Sequence, residues 1–152
     1  MTQSAPRCQD AQDARVARIV TLFEALTPAD VARLGAFYHR DARFKDPFNE
    51  VQGLAPIQNI FAHMFVALDE PRFVVRDIVQ QGDQCLLTWD FMFRFKRFSR
   101  ELQTVRGASH LRLDATGLVT LHRDYWDAAE ELYEKLPVLS ALMGWLKRRA
   151  RA

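Results

Sequence analysis

Two carboxylates, a histidine and a serine fall where extended chain would carry them onto an apolar surface. In the stretch 38–48, an extended backbone over Ala42 to Asp46 points Arg43 and Lys45 to water, while Ala42, Phe44 and Asp46 share the other face. Pro47 keeps Asp46 out of a helix, because the residue before proline is pushed from the α region. An acid among apolar neighbours is a candidate proton shuttle, since desolvation disfavours its charged form. The ordinary alternative is an Asp-Pro turn whose carboxylate accepts backbone hydrogen bonds.

Further along, Val105, Gly107, Ser109, Leu111 and Leu113 alternate onto one face, which makes Ser109 a polar atom on an apolar surface. In the last strand-like run, Leu118, Thr120, His122, Asp124 and Trp126 share one side and Val119, Leu121, Arg123 and Tyr125 the other, and pattern alone does not choose the inner one. With the His122 side inward, His122, Asp124 and Trp126 form a row able to meet Asp46 across a cavity. Two enclosed carboxylates push their proton affinities apart, which suits a general acid and a general base. Surface or core pairing of Asp124 with Arg123 or His122 is the plainer reading of those residues.

The elements that must position these groups follow from periodicity. Residues 1–12 read as a flexible tail. Val16, Ile19, Val20, Phe23 and Leu26 recur at helical spacing. Thr27, Pro28 and Asp30 restart a helix whose inner face carries Val31, Leu34, Phe37 and Tyr38. A short strand ends at Asp46, a loop holds Gly53, and a third helix presents Ile57, Ile60, Phe61, Met64, Phe65 and Leu68, with the helices ending near Pro71. Four β runs follow, at 72–81, 84–97, 102–114 and 118–126, separated by Gly82-Asp83, a polar segment at 97–100, and Asp114 to Gly117. Helices first and an antiparallel meander second make an α+β domain with helices on one sheet face. Asp127 to Glu130 reads as a cap for one more helix, interrupted by Pro137, and residues 138–152 as a helical extension with a basic end.

The run 84–97 has two apolar faces, Leu87, Trp89, Phe91, Phe93 and Phe95 against Leu86, Thr88, Asp90, Met92 and Arg94. Cover on both sides predicts a homodimer through a sheet face. An ordinary core on one side and partial solvation on the other explains the pattern equally well.

The whole chain, 152 residues with 49% hydrophobic and 26% charged, is long enough for one core and a pocket. A net charge of +2 provides no broad footprint for nucleic acid. Cys8 and Cys85 are too few for a disulfide framework, which fits a cytoplasmic protein. The four histidines lack metal-ligand spacing, and no phosphate loop or nucleophile elbow occurs, so neither metal nor cofactor is expected. No run is long enough to span a bilayer, and the basic tail from Trp145 reads as a solvated helix end more readily than as a membrane anchor.

The helix order, the Tyr38-x-x-Asp41-Ala42-x-Phe44-x-Asp46-Pro47 passage, the Gly53 loop and the His122-Arg123-Asp124-Tyr125-Trp126-Asp127 ending resemble the nuclear transport factor 2-like superfamily, in its SnoaL-like, ketosteroid isomerase-related branch. The resemblance covers roughly residues 13–137. It implies a cone: a strongly bent, mainly antiparallel sheet wrapped around the N-terminal helices, enclosing one pocket. It implies a cofactor-free isomerase or cyclase moving a proton on a small apolar carbonyl compound, or a non-catalytic binding module. Asp46 falls at the general base of ketosteroid isomerases and Trp126 at an aromatic wall. Ser109 stands where they keep an oxyanion-stabilising acid, and Tyr38 or Tyr125 would replace their tyrosine. Asp124 falls at the water-activating acid of limonene epoxide hydrolases, whose partner Arg and Asp map near Asp90 and Met92, leaving that triad incomplete. Residue pattern and resemblance together assign Asp46, Asp124 and His122 to catalysis and Tyr38, Phe44, Phe61, Phe65, Asp90, Met92, Ser109 and Trp126 to the pocket. Alternation instead turns Trp89 and Phe91 inward.

Overall fold

The computed structural model describes residues 13–96 and 100–131. The expected N-terminal tail, the extension over 138–152 and Cys8 lie outside the described residues. Helix α1 (Ala14–Glu24) is capped by Asp13, whose carboxylate accepts from the Arg15 N–H at 2.8 Å, and buries Val16, Ile19, Leu22 and Phe23. The Thr27 restart forms as expected, with the Asp30 carboxylate accepting from the Thr27 N–H at 2.9 Å, but α2 spans only Pro28–Val31 and a 3₁₀ turn covers Leu34–Ala36.

That is the first departure from the pattern. Phe37 and Tyr38 do not continue a helix, because Val119 N–H donates to the Phe37 carbonyl at 2.8 Å and Tyr38 pairs in parallel with Val119. Strand β1 therefore runs Tyr38–Lys45, and Asp46 stands just past its end. The predicted alternation holds, with Ala42 and Phe44 buried. A four-residue turn leads into β2 (Glu50–Gln52), a short hairpin partner where the sequence suggested only loop. Gly53, with φ of 106°, caps α3 (Leu54–Ala67) and donates to the Ala42 carbonyl at 2.8 Å. Ile57 and Phe61 of α3 are buried.

Strand β3 (Leu68–Gln81) begins before Pro71, earlier than expected. It lies at the sheet edge, where a missing N–H is tolerated, and its ladder is irregular between Asp69 and Arg72. Strands β4 (Gln84–Phe95), β5 (Gln103–Leu113) and β6 (Val119–Tyr125) complete a curved, open sheet ordered β2-β1-β6-β5-β4-β3, antiparallel except for β1 beside β6. Helix α4 (Ala128–Glu131) starts at Asp127, whose carboxylate accepts from Ala129 and Glu130 N–H groups.

Helices α1 and α3 fill the concave face, so the core joins Ile19, Phe23 and Phe61 to Leu87, Trp89, Phe93 and Leu111. This settles the faces of β4: Leu87, Trp89 and Phe93 are inside, as alternation suggested. At the far end of the sheet Arg15 ties α1 to both turns, reaching Asp83 at 2.9 Å and the Asp114 carbonyl at 3.1 Å. No helix among the described residues is long and apolar enough to cross a membrane.

Candidate functional site

His122 and Asp124 lie two residues apart on β6 and face inward together, although Val119 is also buried. Neither simple alternation explains both. The β5–β6 register supplies the reason: Arg112 opposes Leu121 and Leu113 opposes Val119, so Thr120 is an extra residue that reverses the face. Beyond this bulge, Ser109 opposes Asp124 and Leu111 opposes His122.

A continuous hydrogen-bonded row results. Tyr38 Oη lies 2.6 Å from His122 Nδ1, and His122 Nε2 lies 2.8 Å from Asp124 Oδ1. From the other side, Trp89 Nε1 donates to Ser109 Oγ at 2.8 Å, and Ser109 donates to Asp124 Oδ1 at 2.5 Å. Donor inventory orients every bond. The indole can only donate, so Ser109 accepts from it and gives its own proton to Asp124. The carboxylate accepts from His122 Nε2–H, which leaves Nδ1 to accept from the Tyr38 hydroxyl. Two arms thus converge on one oxygen of Asp124, while Oδ2 has no partner among the described residues. The side chains of His122 and Asp124 are 5% and 15% exposed, so the row is sealed at the histidine and reaches solvent only at the acid.

Burial, and secondarily the Asp124 charge, hold the Tyr38 hydroxyl well above its ordinary value of 10. The folded chain therefore keeps a proton that the unfolded chain releases. The associated stability is complete below pH of about 10 and is lost as pH rises beyond it, with a slope of at most about 1.4 kcal/mol per pH unit. Urea midpoints from about pH 8 to about pH 11.5 are expected to fall more steeply for the wild type than for Tyr38→Phe. Parallel curves would contradict this placement of the hydroxyl.

The acid opens into a cleft of about 530 Å³ lined by Lys45, Asp46, Pro47, Arg123, Asp124, Tyr125, Trp126 and Asp127. The structure thus brings Asp46, Asp124 and Trp126 together, as the strand pattern suggested. Asp46 is nevertheless engaged: Oδ1 accepts from the Phe48 and Asn49 N–H groups at 2.7 and 2.6 Å. The Asn49 side-chain amide reaches Oδ1 and Oδ2 at 3.1 and 3.0 Å. Geometrically this is the Asp-Pro turn.

Most other expected residues are displaced from the cleft. Asp90 and Met92 do not line it. They lie on the convex face of β4, where Asp90 pairs with Arg76 at 2.6 Å and the Met92 sulfur meets Arg72, because the register that buries Trp89 turns their neighbours outward. Tyr38 is buried with its hydroxyl bonded to His122, so it cannot meet a ligand; Tyr125 is about half exposed with Arg123 over its ring. Phe44 and Phe61 pack around the His122 ring, Phe44 edge-on at 4.8 Å, and Phe65 joins the α3 side of the core. Ser109 is buried within the row. The sequence reading missed the roles of Trp89 and Gly107. A Cβ on Gly107 would lie 2.4 Å from Trp89 Cη2, so only glycine lets the indole cross to Ser109. A glycine inside a strand is the signal that pointed there. Among the described residues, no group of three His, Cys, Asp or Glu is placed to hold a metal ion.

Residues 19–122 match the family profile described as the SnoaL-like domain. No curated protein matches the chain significantly. Among solved structures, a protein described as a putative SnoaL-like polyketide cyclase from Shewanella putrefaciens is 21% identical, with 83% of this chain and 98% of that one covered at a TM-score of 0.70. A protein described as an LEH-like epoxide hydrolase from M. tuberculosis is 18% identical, with coverage of 85% and 94% and a TM-score of 0.66. A protein of ketosteroid isomerase-like fold from Catenulispora acidiphila, in complex with trimethylamine, is 17% identical, with coverage of 78% and 89% and a TM-score of 0.67. At these identities the likeness establishes the cone fold.

Proposed function

Because this chain belongs to the SnoaL-like domain family, we propose that it binds a small carbonyl compound in the cleft at the mouth of the cone and moves a proton on it without a cofactor. Asp124, not Asp46, is the proton acceptor. The observation that carries this reading is the division of labour within the Asp124 carboxylate: Oδ1 is held by His122 and Ser109, Oδ2 has no partner among the described residues, and the residue lines the cleft. A base fixed by two donors arrives at the substrate without a search over rotamers, which is the orientation advantage that catalysis needs. His122 acts as a positioning residue, with Tyr38 behind it. Asp46 lines the same cleft.

The test is α-proton exchange on cyclic enones and diketones in deuterated water, followed by NMR, after a thermal-shift screen selects compounds that bind. Exchange by the wild type that disappears in Asp124→Asn supports the enzyme reading. Equal binding to both proteins with no exchange in either moves the chain to the non-catalytic ligand-binding class.

The pairing of two copies through the sheet belongs to the same proposal. The convex face exposes Val79 and Leu86, which oppose each other across β3 and β4, with Val79 63% exposed. Light scattering is expected to give twice the monomer mass for the wild type and the monomer mass for Val79→Lys combined with Leu86→Lys. A monomeric wild type would remove this part of the reading.

A further inference from the structure

The turn between β1 and β2 carries more order than a surface connection requires. The Asp46 carboxylate gathers both following N–H groups and the Asn49 amide, and Asp46 N–H closes the loop on the Asn49 carbonyl at 2.9 Å. Pro47 presets its own backbone angle inside that turn. What the turn presents is Phe48, a residue 54% exposed. Its ring stands edge-on to Trp126, with centroids 5.4 Å apart and an interplanar angle of 75°. Trp126 follows β6 by one residue and lines the cleft beside Asp124.

We infer that Asp46 is a positioning residue: it clamps the turn that sets Phe48 against Trp126, and this aromatic pair fixes the wall that decides which ligand shapes the cleft accepts. The ligand consequence rests on the cleft being the binding site, but the clamp itself does not. Asp46 then owes its place in the sequence to the lone pairs it offers the turn, and a neutral acceptor does nearly the same work. Asparagine retains Oδ1 as acceptor for Phe48 N–H, Asn49 N–H and one hydrogen bond from the Asn49 amide, and changes only the interaction at Oδ2. Alanine removes all of them.

The two substitutions therefore separate a clamp from a proton shuttle, which both would abolish. The measurement is the set of nuclear Overhauser effects between the Phe48 ring and the Trp126 indole. They are expected to persist in Asp46→Asn and to vanish in Asp46→Ala, with the Trp89 indole and His122 resonances unchanged in both. Their disappearance from both variants, or their survival in both, overturns the inference. If Asp46→Ala does not fold, Phe48→Ala decides instead: a shifted Trp126 indole resonance supports the pairing and an unmoved one overturns it. The same Overhauser effects are expected to survive in Asp124→Asn, so failure of the proton-transfer reading and failure of the clamp are recorded separately.

Discussion

Asp124→Asn is expected to fold with nearly the wild-type urea midpoint and to lose proton-transfer rate by ~10²–10⁴-fold, the usual worth of a general base. Donor inventory explains the asymmetry. Ser109 and His122 Nε2–H both donate to Oδ1, so an asparagine turns its carbonyl oxygen toward them and its amide nitrogen to the cleft. Every buried donor keeps an acceptor, while the lone pairs offered to substrate disappear. Asp124→Ala makes the opposite kind of lesion. It leaves the Ser109 hydroxyl and the His122 N–H without an acceptor inside the cone, at about 1–3 kcal/mol for each group. Chemical denaturation and the exchange assay on both variants check this. An asparagine variant with full exchange activity would transfer the base role elsewhere in the cleft, and an alanine variant of undiminished stability would break the account of the row.

Gly107→Ala is expected to be the most damaging single-methyl addition in the sheet. The new Cβ would fall 2.4, 2.7 and 2.8 Å from three ring carbons of Trp89, where real Cβ atoms do not go. Trp89 is itself buried, and its ring meets Phe73 edge-on at 5.4 Å, so it has little room to retreat. Overpacking of this kind costs about 1–3 kcal/mol. A displaced indole also withdraws the hydrogen bond that orients Ser109 toward Asp124. The expected result is a lower urea midpoint together with a shifted, faster-exchanging Trp89 indole N–H. Stability loss with an unmoved indole would mean that the backbone yields at Gly107 while the ring holds its place.

Much of this architecture is written locally. The capping residues Thr27 and Asp127, the apolar spacing of α1 and α3, the two-residue alternation of β1 and β5 and the turns at Gly82 and Gly117 are interactions among neighbours in the chain. A reader of residue types recovers them, and with them the α+β order, the inward Ser109 and the company of Asp46, Asp124 and Trp126. The tertiary structure decided what local pattern leaves degenerate. Tyr38 fits a helix face as well as a strand, and it became a strand because β6, far along the chain, pairs with it. The face of His122 depends on one extra residue at Thr120, and a bulge has no period to announce it. The turn at Asp46 was legible as an Asx turn or as a buried acid, and only the positions of Asn49 and Phe48 chose between them. Sequence determines which side chains are available and what each can donate or accept. Register across the sheet, set by packing of distant segments, determines which of them meet, and so leaves Asp124 rather than Asp46 with an oxygen that has no partner among the described residues.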